Sequence, residues 1–278
     1  MAQLVVAALQ LPTLGMNATR LEFYLKQAKQ RHADVMLLGE YVLNHFFKEF
    51  ATMSANMVKE QTRKHTELLR SLAEKYDIVF VAPIIVTKKD GFHKTIVKIT
   101  PKNTRYYEQQ ILLPYPHWNE KKFFSNPIKS LKDPMTFTVK GFKVMVMAGF
   151  ELHFDHFWQR ATEKKIDLVL LPTASTFGSH NRWREIIKTK AFLHGCYILR
   201  ANRLGEYSDN EVKWKFYGDT MLVSPDGEIE MMLEDKESML VEVIDKQEVT
   251  EHRKAWGFER ELKQREELNN SLLPKAKL

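Results

Sequence analysis

One short stretch of the sequence, LHFDHF, places two histidines and a carboxylate close enough together to suggest a metal site. Imidazole nitrogens and carboxylate oxygens are common zinc ligands. The surrounding pattern predicts that a helix begins here, which puts His153 and His156 on one side and turns Asp155 elsewhere. An aspartate at the start of a helix more often binds free backbone amides than a metal ion. The sequence therefore predicts no metal site, and it predicts no cofactor.

The only cysteine, Cys196, limits the sulfur chemistry that the chain can perform. A single thiol excludes an internal disulfide, a multi-cysteine zinc site and an iron–sulfur cluster, and it suits a reducing cytoplasm, which is the location we expect. Because free cysteine is among the most buried residue types, we expect a core thiol rather than a nucleophile. Ser125, Ser175 and Ser179 all lack the G-x-S-x-G context that exposes a reactive serine.

Short apolar segments of strand length alternate with amphipathic segments along the chain. VMLL and LVLL are apolar enough to be strands buried on both faces, and residues 91–110 and 136–149 have the alternation of hairpins. This mixture predicts an α/β fold, a four-layer αββα sandwich whose two sheets share one core. We expect a single domain over residues 1–278, with a C-terminal helix from about residue 246 as a candidate subunit contact.

The lengths of the apolar runs and the N-terminal segment give further information about the location of the protein. No apolar run approaches the roughly 18–20 residues that a membrane helix needs, so we do not expect an integral membrane protein. The N-terminal MAQLVVAALQLP lacks the basic start and the cleavage site of a signal peptide, and it is typical of a first core strand.

The basic charge of the chain is local. Forty-two lysines and arginines against 35 acidic residues give a net charge of +7, and residues 88–132 hold ten basic against three acidic residues. Strand alternation spreads these cations over two faces, which argues against nucleic acid and leaves a solvated rim, an acidic protein partner or an anionic membrane surface. An aromatic-rich segment, FDHFWQRA, is either an apolar interface or internal packing. The candidate interaction residues are Lys88, Lys89, Lys94, Lys98, Lys102, Arg105, Lys121, Lys122, Phe157 and Trp158.

The order of these landmarks resembles the nitrilase superfamily of carbon–nitrogen hydrolases over most of the chain. The matching segments are LVVAALQLP, ADVMLLGEY, RYYEQQILLPYPHWNEKKFF, KVMVMAGFELHF, CYILRANRLG and FYGDTMLVSPDGEI. The resemblance implies the αββα fold, a homodimer, and cleavage of non-peptide C–N bonds by a glutamate base, a lysine and a cysteine. In such chemistry a thiolate attacks the substrate carbon, the carboxylate moves a proton and the cation stabilises the oxyanion.

The resemblance places two carboxylates at family positions but no lysine. Glu40 occupies the position of the base, and Glu120, six residues past the proline of LLP, that of a supporting glutamate. The lysine position falls on Gln110 or Gln109, and the register set by Tyr107 favours Gln109. Glutamine carries no charge, and loss of one oxyanion donor costs about 10²–10³ in rate.

The nucleophile is missing as well. In MAGFELHF the cysteine position falls on Gly149, followed by Phe150 and Glu151. Glycine has no side-chain atom that could attack a substrate, and removing the nucleophile of a hydrolytic triad costs roughly 10⁶ in turnover. The resemblance therefore implies a pseudoenzyme rather than an enzyme.

Two physical consequences follow from these substitutions. A glycine would relieve the backbone strain of the elbow that normally carries the nucleophile, so we expect Gly149→Cys not to increase stability. If Glu40 and Glu120 face each other without the family lysine, either one of them is protonated near neutral pH or another basic group fills the gap.

Three functions are compatible with the sequence. The first is a non-catalytic protein that works by binding, most of all as an interaction partner, scaffold or chaperone. The second is an enzyme with altered chemistry, in which Glu40 acts as a base toward water. The third is a sensor whose retained pocket binds an amide or an amine without turnover.

Overall fold

The apolar segments of the sequence form the central strands of two sheets in the computed structural model, which describes residues 2–15, 18–208 and 212–272. The strands are β1 (Gln3–Gln10), β2 (Val35–Leu38), β3 (Val79–Lys88), β4 (Gly91–Ile99), β5 (Thr104–Glu108), β6 (Pro114–Tyr115), β7 (Trp118–Asn119), β8 (Thr136–Val139), β9 (Phe142–Val146), β10 (Leu168–Thr173), β11 (Tyr197–Asn202), β12 (Leu204–Ser208), β13 (Lys213–Tyr217), β14 (Met221–Val223), β15 (Ile229–Met232) and β16 (Ser238–Asp245). The α-helices are α1 (Ala18–Gln30), α2 (Ala55–Tyr76), α3 (Glu120–Phe123), α4 (Asp155–Glu163), α5 (His180–His194), α6 (Lys246–Trp256) and α7 (Phe258–Leu272).

Each large sheet has six strands with a parallel centre. The first has the order β16-β1-β2-β3-β4-β5, and the second has the order β15-β14-β11-β10-β9-β8. In both, the parallel strands are the near-continuously apolar ones, as expected for strands that are covered on both faces. Antiparallel hairpins extend the sheets toward their edges.

Three hydrophobic layers hold the four structural layers together. Side chains such as Val6, Leu37 and Leu170 pack between the two sheets. A second layer joins the first sheet to α1 and α2, and a third joins the second sheet to α4 and α5. This arrangement confirms the four-layer αββα sandwich that the alternation of strands and helices predicted.

The C-terminal segment corrects one detail of the sequence interpretation. The pattern predicted one helix from about residue 246 to residue 267, but the structure contains two helices. Gly257 adopts a left-handed conformation with φ of 65°, ends α6 and separates it from α7. A left-handed glycine is a common helix terminator because it lacks a Cβ. None of the described helices is long and apolar enough to cross a membrane.

Candidate functional site

The carboxyl ends of β2 and β10 meet where the two sheets face each other, and this contact positions Glu40. Glu40 follows β2, and its backbone N–H donates to the carbonyl of Thr173, the last residue of β10, at 3.1 Å. Glu120 is the first residue of α3, whose start is capped by the side chain of Asn119 accepting from the Lys122 N–H at 2.9 Å. Both carboxylates are buried, and the structure brings them to the same site.

A lysine that the sequence interpretation had assigned to the surface lies between the two carboxylates. The Nζ atom of Lys94 is 3.0 Å from Oε2 of Glu40 and 2.7 Å from Oε1 of Glu120. All three side chains are at most 6% exposed. The expectation that another basic side chain would fill the gap between the glutamates is therefore confirmed, and Lys94 is that side chain.

Lys94 reaches the site from β4, directly across from the predicted lysine position. The Gln109 N–H donates to the Lys94 carbonyl at 3.1 Å, so the two residues are cross-strand neighbours. Gln109 is buried, but its Nε2 donates to the Ile111 carbonyl at 2.8 Å instead of reaching a carboxylate. Strand alternation puts Lys94 on the same face as Ile96, which belongs to the core between the sheets. That alternation was the sequence signal that could have identified Lys94.

Four of the ten candidate interaction residues are buried in this chain. Lys94 and Lys98 are 4% and 6% exposed because both follow the inward face of β4. Phe157 and Trp158 are fully buried, since α4 turns them toward the second sheet, where the Trp158 Nε1 donates to the Leu152 carbonyl at 2.7 Å. The interpretation of these four as surface contacts is therefore wrong. The other six are exposed: Lys88, Lys89, Lys102, Arg105, Lys121 and Lys122.

Glu120 is the most heavily hydrogen-bonded member of the ion cluster. Besides Lys94, its Oε1 accepts from the Tyr41 hydroxyl at 2.6 Å and from the Trp118 indole N–H at 3.1 Å. Tyr41 has a φ of 58°, a left-handed conformation that a tyrosine adopts only when its surroundings enforce it. Burial and the charge of Glu120 raise the pKa of Tyr41 well above its ordinary value, so Tyr41 is a donor in this cluster.

Burial and pairing act in opposite directions on the cluster. Burial raises the pKa of Glu40 to about 7, against the attraction of Lys94 and together with the repulsion from Glu120. Burial alone would lower the pKa of Lys94, but the two carboxylates outweigh it and the pKa of Lys94 is raised. Lys94 therefore stays an ammonium ion at neutral pH and is no free base for chemistry.

The raised pKa of Glu40 predicts a measurable pH dependence. The folded value of about 7 lies above the ordinary value of 4.5, so the folded protein holds the Glu40 proton to a higher pH than the unfolded chain does. The contribution of this proton to the free energy of unfolding is therefore present at low pH and is lost as the pH rises through about 7. Replacing Glu40 with glutamine removes this titration. The free energy of unfolding of the variant, relative to that of the wild type, should therefore be roughly 1 kcal/mol higher at pH 8 than at pH 6. Urea denaturation of both proteins at the two pH values measures the difference. A constant difference would contradict the raised pKa.

Gly149 lies against Glu40, and close approach rather than backbone strain accounts for the glycine. A Cβ at this position would be 3.1 Å from the Pro172 carbonyl oxygen and 3.2 Å from Oε1 of Glu40. The Gly149 backbone lowers the pKa of Glu40 slightly, against the larger effect of burial. Its φ is not in the left-handed region, so the glycine relieves no left-handed backbone strain there. The cluster thus contains two carboxylates and an ammonium group, but position 149 supplies no side-chain nucleophile.

Almost no free space lies on the side of the ion cluster that faces Asn44 and Ile85. The cavity lined by Glu40, Tyr41, Asn44, Ile85 and Lys94, among others, measures about 10 Å³. Such a volume holds about one water molecule. On this side the cluster has no room for an amide substrate.

Glu151, the carboxylate that follows the elbow, has a structural role. Its Oε1 accepts from the Gln110 N–H at 2.6 Å, and its Oε2 accepts from the Tyr107 hydroxyl at 2.9 Å and from the Ala148 N–H at 3.1 Å. The carboxylate is fully buried, and burial raises its pKa to about 7. These bonds fix the turn that follows β9 against the loop after β5.

Cys196 is a core thiol, as the sequence predicted. It is fully buried in the layer between the second sheet and its helices, and burial raises the pKa of its thiol to about 12. It precedes Tyr197, which pairs with Leu168 at the start of β10, whereas Glu40 contacts Thr173 at the end of that strand. The length of β10 separates the thiol from Glu40 by about 16 Å, which removes it as a displaced nucleophile.

The carbon-nitrogen hydrolase family model matches residues 5–254, which is most of the chain. The chain belongs to this family. An N-carbamoylputrescine amidase of Arabidopsis thaliana is 21% identical over 93% of this chain and 92% of its own length. A protein named hydrolase in agr operon, from Staphylococcus lugdunensis, is 24% identical over 81% of this chain and 93% of its own length.

Solved structures of carbon–nitrogen hydrolases have the same fold. A carbon-nitrogen hydrolase from Helicobacter pylori G27 superposes with a TM-score of 0.80 at 21% identity, covering 93% of this chain and 94% of that one. A CN-hydrolase superfamily protein from Xanthomonas campestris has a TM-score of 0.79 at 16% identity, covering 94% and 97%. At these identities the likeness shows the fold alone.

The remaining sequence candidates of this carbon–nitrogen hydrolase family member lie outside the ion cluster. His153 is exposed and its Nδ1 is 3.0 Å from the Phe150 carbonyl, while Asp155 pairs with Lys190 at the start of α4. No group of three potential ligands gathers around a common point among the residues that the structure describes. Ser125 donates to the carbonyl of Asp90 at 2.8 Å.

A separate cavity of about 630 Å³ lies beside the cluster, next to Phe150. Its lining residues are Leu113, Tyr115, His117, Trp118, Phe150, His153, Ala174, Ser175, Thr176, Phe177, Ser179, Arg182, Trp183 and Ile186. Trp118 belongs to both regions, because its ring lines the cavity while its indole N–H donates to Glu120. The family fold therefore encloses a closed ion cluster and, behind Trp118, an open aromatic cavity.

Proposed function

We propose that this member of the carbon–nitrogen hydrolase family performs no covalent hydrolysis of C–N bonds and acts by binding. The observation that carries the proposal is the surroundings of Gly149. The position has no nucleophile, and the space that a cysteine side chain would enter is bounded by the Glu40 carboxylate and the Pro172 carbonyl. A thiolate mechanism has no starting atom there.

The ion cluster also argues against the alternative in which Glu40 activates water. Lys94 bridges Glu40 and Glu120, so the charge of its ammonium group is already balanced by these carboxylates before any oxyanion could form. An oxyanion donor stabilises a transition state only if it points at the space where charge develops. The cavity that both Glu40 and Lys94 line measures only about 10 Å³ and offers no such space.

Turnover assays test this proposal directly. Purified protein should release ammonia from simple amides and from N-carbamoyl amines no faster than a protein-free control, because the loss of a nucleophile costs roughly 10⁶ in turnover. The Glu40→Gln variant should give the same background. Protein-dependent turnover that is abolished by Glu40→Gln would establish the altered-mechanism enzyme instead.

For the binding partner we propose an acidic protein, which the chain would scaffold or stabilise in the cytoplasm as a homodimer. The exposed cations of the segment from residue 88 to residue 132 support an acidic partner, and the exposed Trp256, Phe258 and Leu262 support a subunit contact at the C-terminal helices. One partner should co-purify with the wild type. A Lys121→Glu/Lys122→Glu variant should lose this partner, whereas the matched control Lys26→Glu/Lys29→Glu on α1 should retain it. Equal capture by all three proteins would contradict the acidic partner. A monomeric mass by light scattering would contradict the homodimer.

A second candidate function is the binding of a small molecule without turnover. The aromatic cavity of about 630 Å³ supports it, since ligand sites usually measure about 300–1,000 Å³ and have mostly apolar walls with a few polar groups. A stabilising ligand would raise the melting temperature increasingly as its free concentration rises.

A further inference from the structure

The walls of the aromatic cavity are flat rings. Tyr115, His117, Trp118, Phe150, His153, Phe177 and Trp183 all line it. Several of these rings already contact one another edge to face, such as Tyr115 with Phe150 at 5.9 Å and His153 with Trp183 at 5.3 Å between centroids. Rings in these arrangements leave faces and edges on which a planar aromatic ligand can stack.

One end of the cavity is backed by a buried arginine. Ser175 lines the cavity, and its Oγ accepts from Nη2 of Arg200 at 2.8 Å. That bond uses the hydroxyl oxygen as an acceptor, so its proton is available for donation to a ligand. Arg200 is fully buried, and its guanidinium group lies 4.9 Å from the ring centroid of Trp183, which forms part of the cavity wall.

The charges around this end are predominantly positive. Arg200 and Arg184 share a single carboxylate, Asp219, with contacts at 3.2 Å and 2.5 Å. Two cations and one anion leave one net positive charge behind the wall. Arg182 adds another cation at the rim, and no aspartate or glutamate is among the described residues that line the cavity. A low-dielectric pocket focuses such a field on its ligand.

These charges decide between two kinds of aromatic-lined site. Aromatic cages bind organic cations through the faces of their rings. Here Arg182 at the rim and Arg200 behind the wall would repel a cation. The nearby carboxylate, Glu120, is separated from the cavity by Trp118, and its Oε1 already accepts from Lys94, Tyr41 and Trp118. An anion meets the complementary arrangement.

We propose that this cavity binds a planar aromatic molecule that carries a carboxylate or a similar anionic group. The rings take up the aromatic part, and the anionic group lies near Ser175 and Arg182, within the field of the buried Arg200. The inference rests on the proposed role in binding small molecules without turnover, and it adds the chemical class of the ligand.

Three probes with the same ring and different charge test the inference by isothermal titration calorimetry: indole-3-acetate, indole-3-acetamide and tryptamine. We expect the carboxylate to bind at least tenfold more tightly than the amide, and the ammonium compound to bind most weakly. Equal or tighter binding of the amide or of tryptamine would overturn the anionic preference. Failure of all three to bind at millimolar concentration would overturn the site itself.

Two variants locate the binding and leave the buried arginine itself in place. Ser175→Ala and Arg182→Gln should each weaken binding of indole-3-acetate at least fivefold and leave indole-3-acetamide nearly unchanged, while the matched control Ser130→Ala, at an exposed position outside the cavity, should change neither. Equal effects on both probes would contradict recognition of the charge. The amide also separates the two proposals: ammonia release from indole-3-acetamide would disprove the absence of hydrolysis, whereas the affinity for the carboxylate tests the ligand class alone.

Discussion

Replacing Lys94 with methionine is expected to lower the free energy of unfolding by about 3–5 kcal/mol at neutral pH. The substitution keeps the length and apolar volume of the side chain but removes the charge that holds Glu40 and Glu120 together at 3.0 Å and 2.7 Å. Two buried carboxylates would then face each other, and each would have lost its ion-pair partner. Urea denaturation of the purified proteins measures the change.

A matched control exists on the same strand. Lys98 lies four residues further along the same face of β4 and is 6% exposed, but it lies over the ring of Phe137 at 4.8 Å instead of between carboxylates. Burial lowers the pKa of Lys98, with a contribution from Arg105. Lys98→Met should therefore change stability by no more than about 1 kcal/mol. Comparable losses in both variants would mean that buried length, rather than charge, explains the effect of Lys94.

The pH dependence of the Lys94→Met variant provides a second criterion. Without the ammonium group, the Glu40 carboxylate should take up a proton more readily, because both burial and the repulsion from Glu120 favour its neutral form. The folded variant then binds more protons than the unfolded chain, so its stability falls as the pH rises. The deficit against the wild type should be smaller at pH 5 than at pH 8, and adding Glu40→Gln should recover part of it. A deficit independent of pH would contradict the ion-cluster explanation.

Lys94 also shows where sequence reasoning reached its limit. Charge, length and flexibility make a lysine in a strand a surface residue by default. Alternation with Phe92 and Ile96 placed it on the inward face, but its two partners lie 54 and 26 residues away in the chain. Only the folded arrangement of β2, β4 and α3 brings the three side chains together, so neither local propensity nor motif spacing could supply that contact.

The layers of the fold were predictable for the opposite reason. The near-continuous apolar runs of VMLL and LVLL indicate strands covered on both faces, and that pattern is local. Ordered motifs singled out Glu40, Glu120 and Gly149, and the structure brings these three residues together. The reason for the glycine was not local, since the atoms that exclude a side chain there belong to Pro172 and Glu40.

A cysteine introduced at position 149 is expected to stay unreactive while the protein is folded. Its Cβ would lie 3.2 Å from Oε1 of Glu40 and 3.1 Å from the Pro172 carbonyl. The Glu40 side chain is held by Lys94 and Pro172 belongs to β10, so neither neighbour can move far to make room. Crowding of this kind costs about 1–3 kcal/mol of stability. Gly149 is buried, so an electrophile such as iodoacetamide has no direct path from solvent to a thiol there.

Counting alkylated thiols by mass spectrometry measures this, with Cys196 as the internal reference. Wild-type protein should carry no adduct when native and one when unfolded in urea, because Cys196 is fully buried and burial raises its pKa to about 12. Gly149→Cys should carry none when native and two when unfolded. In the control Gly178→Cys, an added Cβ meets no atom within 4 Å at an exposed position, and the thiol should be labelled in the native state. If the thiol introduced by Gly149→Cys were labelled in the native state at a rate near that of the control, the site beside Glu40 would be open, and the proposed loss of hydrolysis would lack its structural basis.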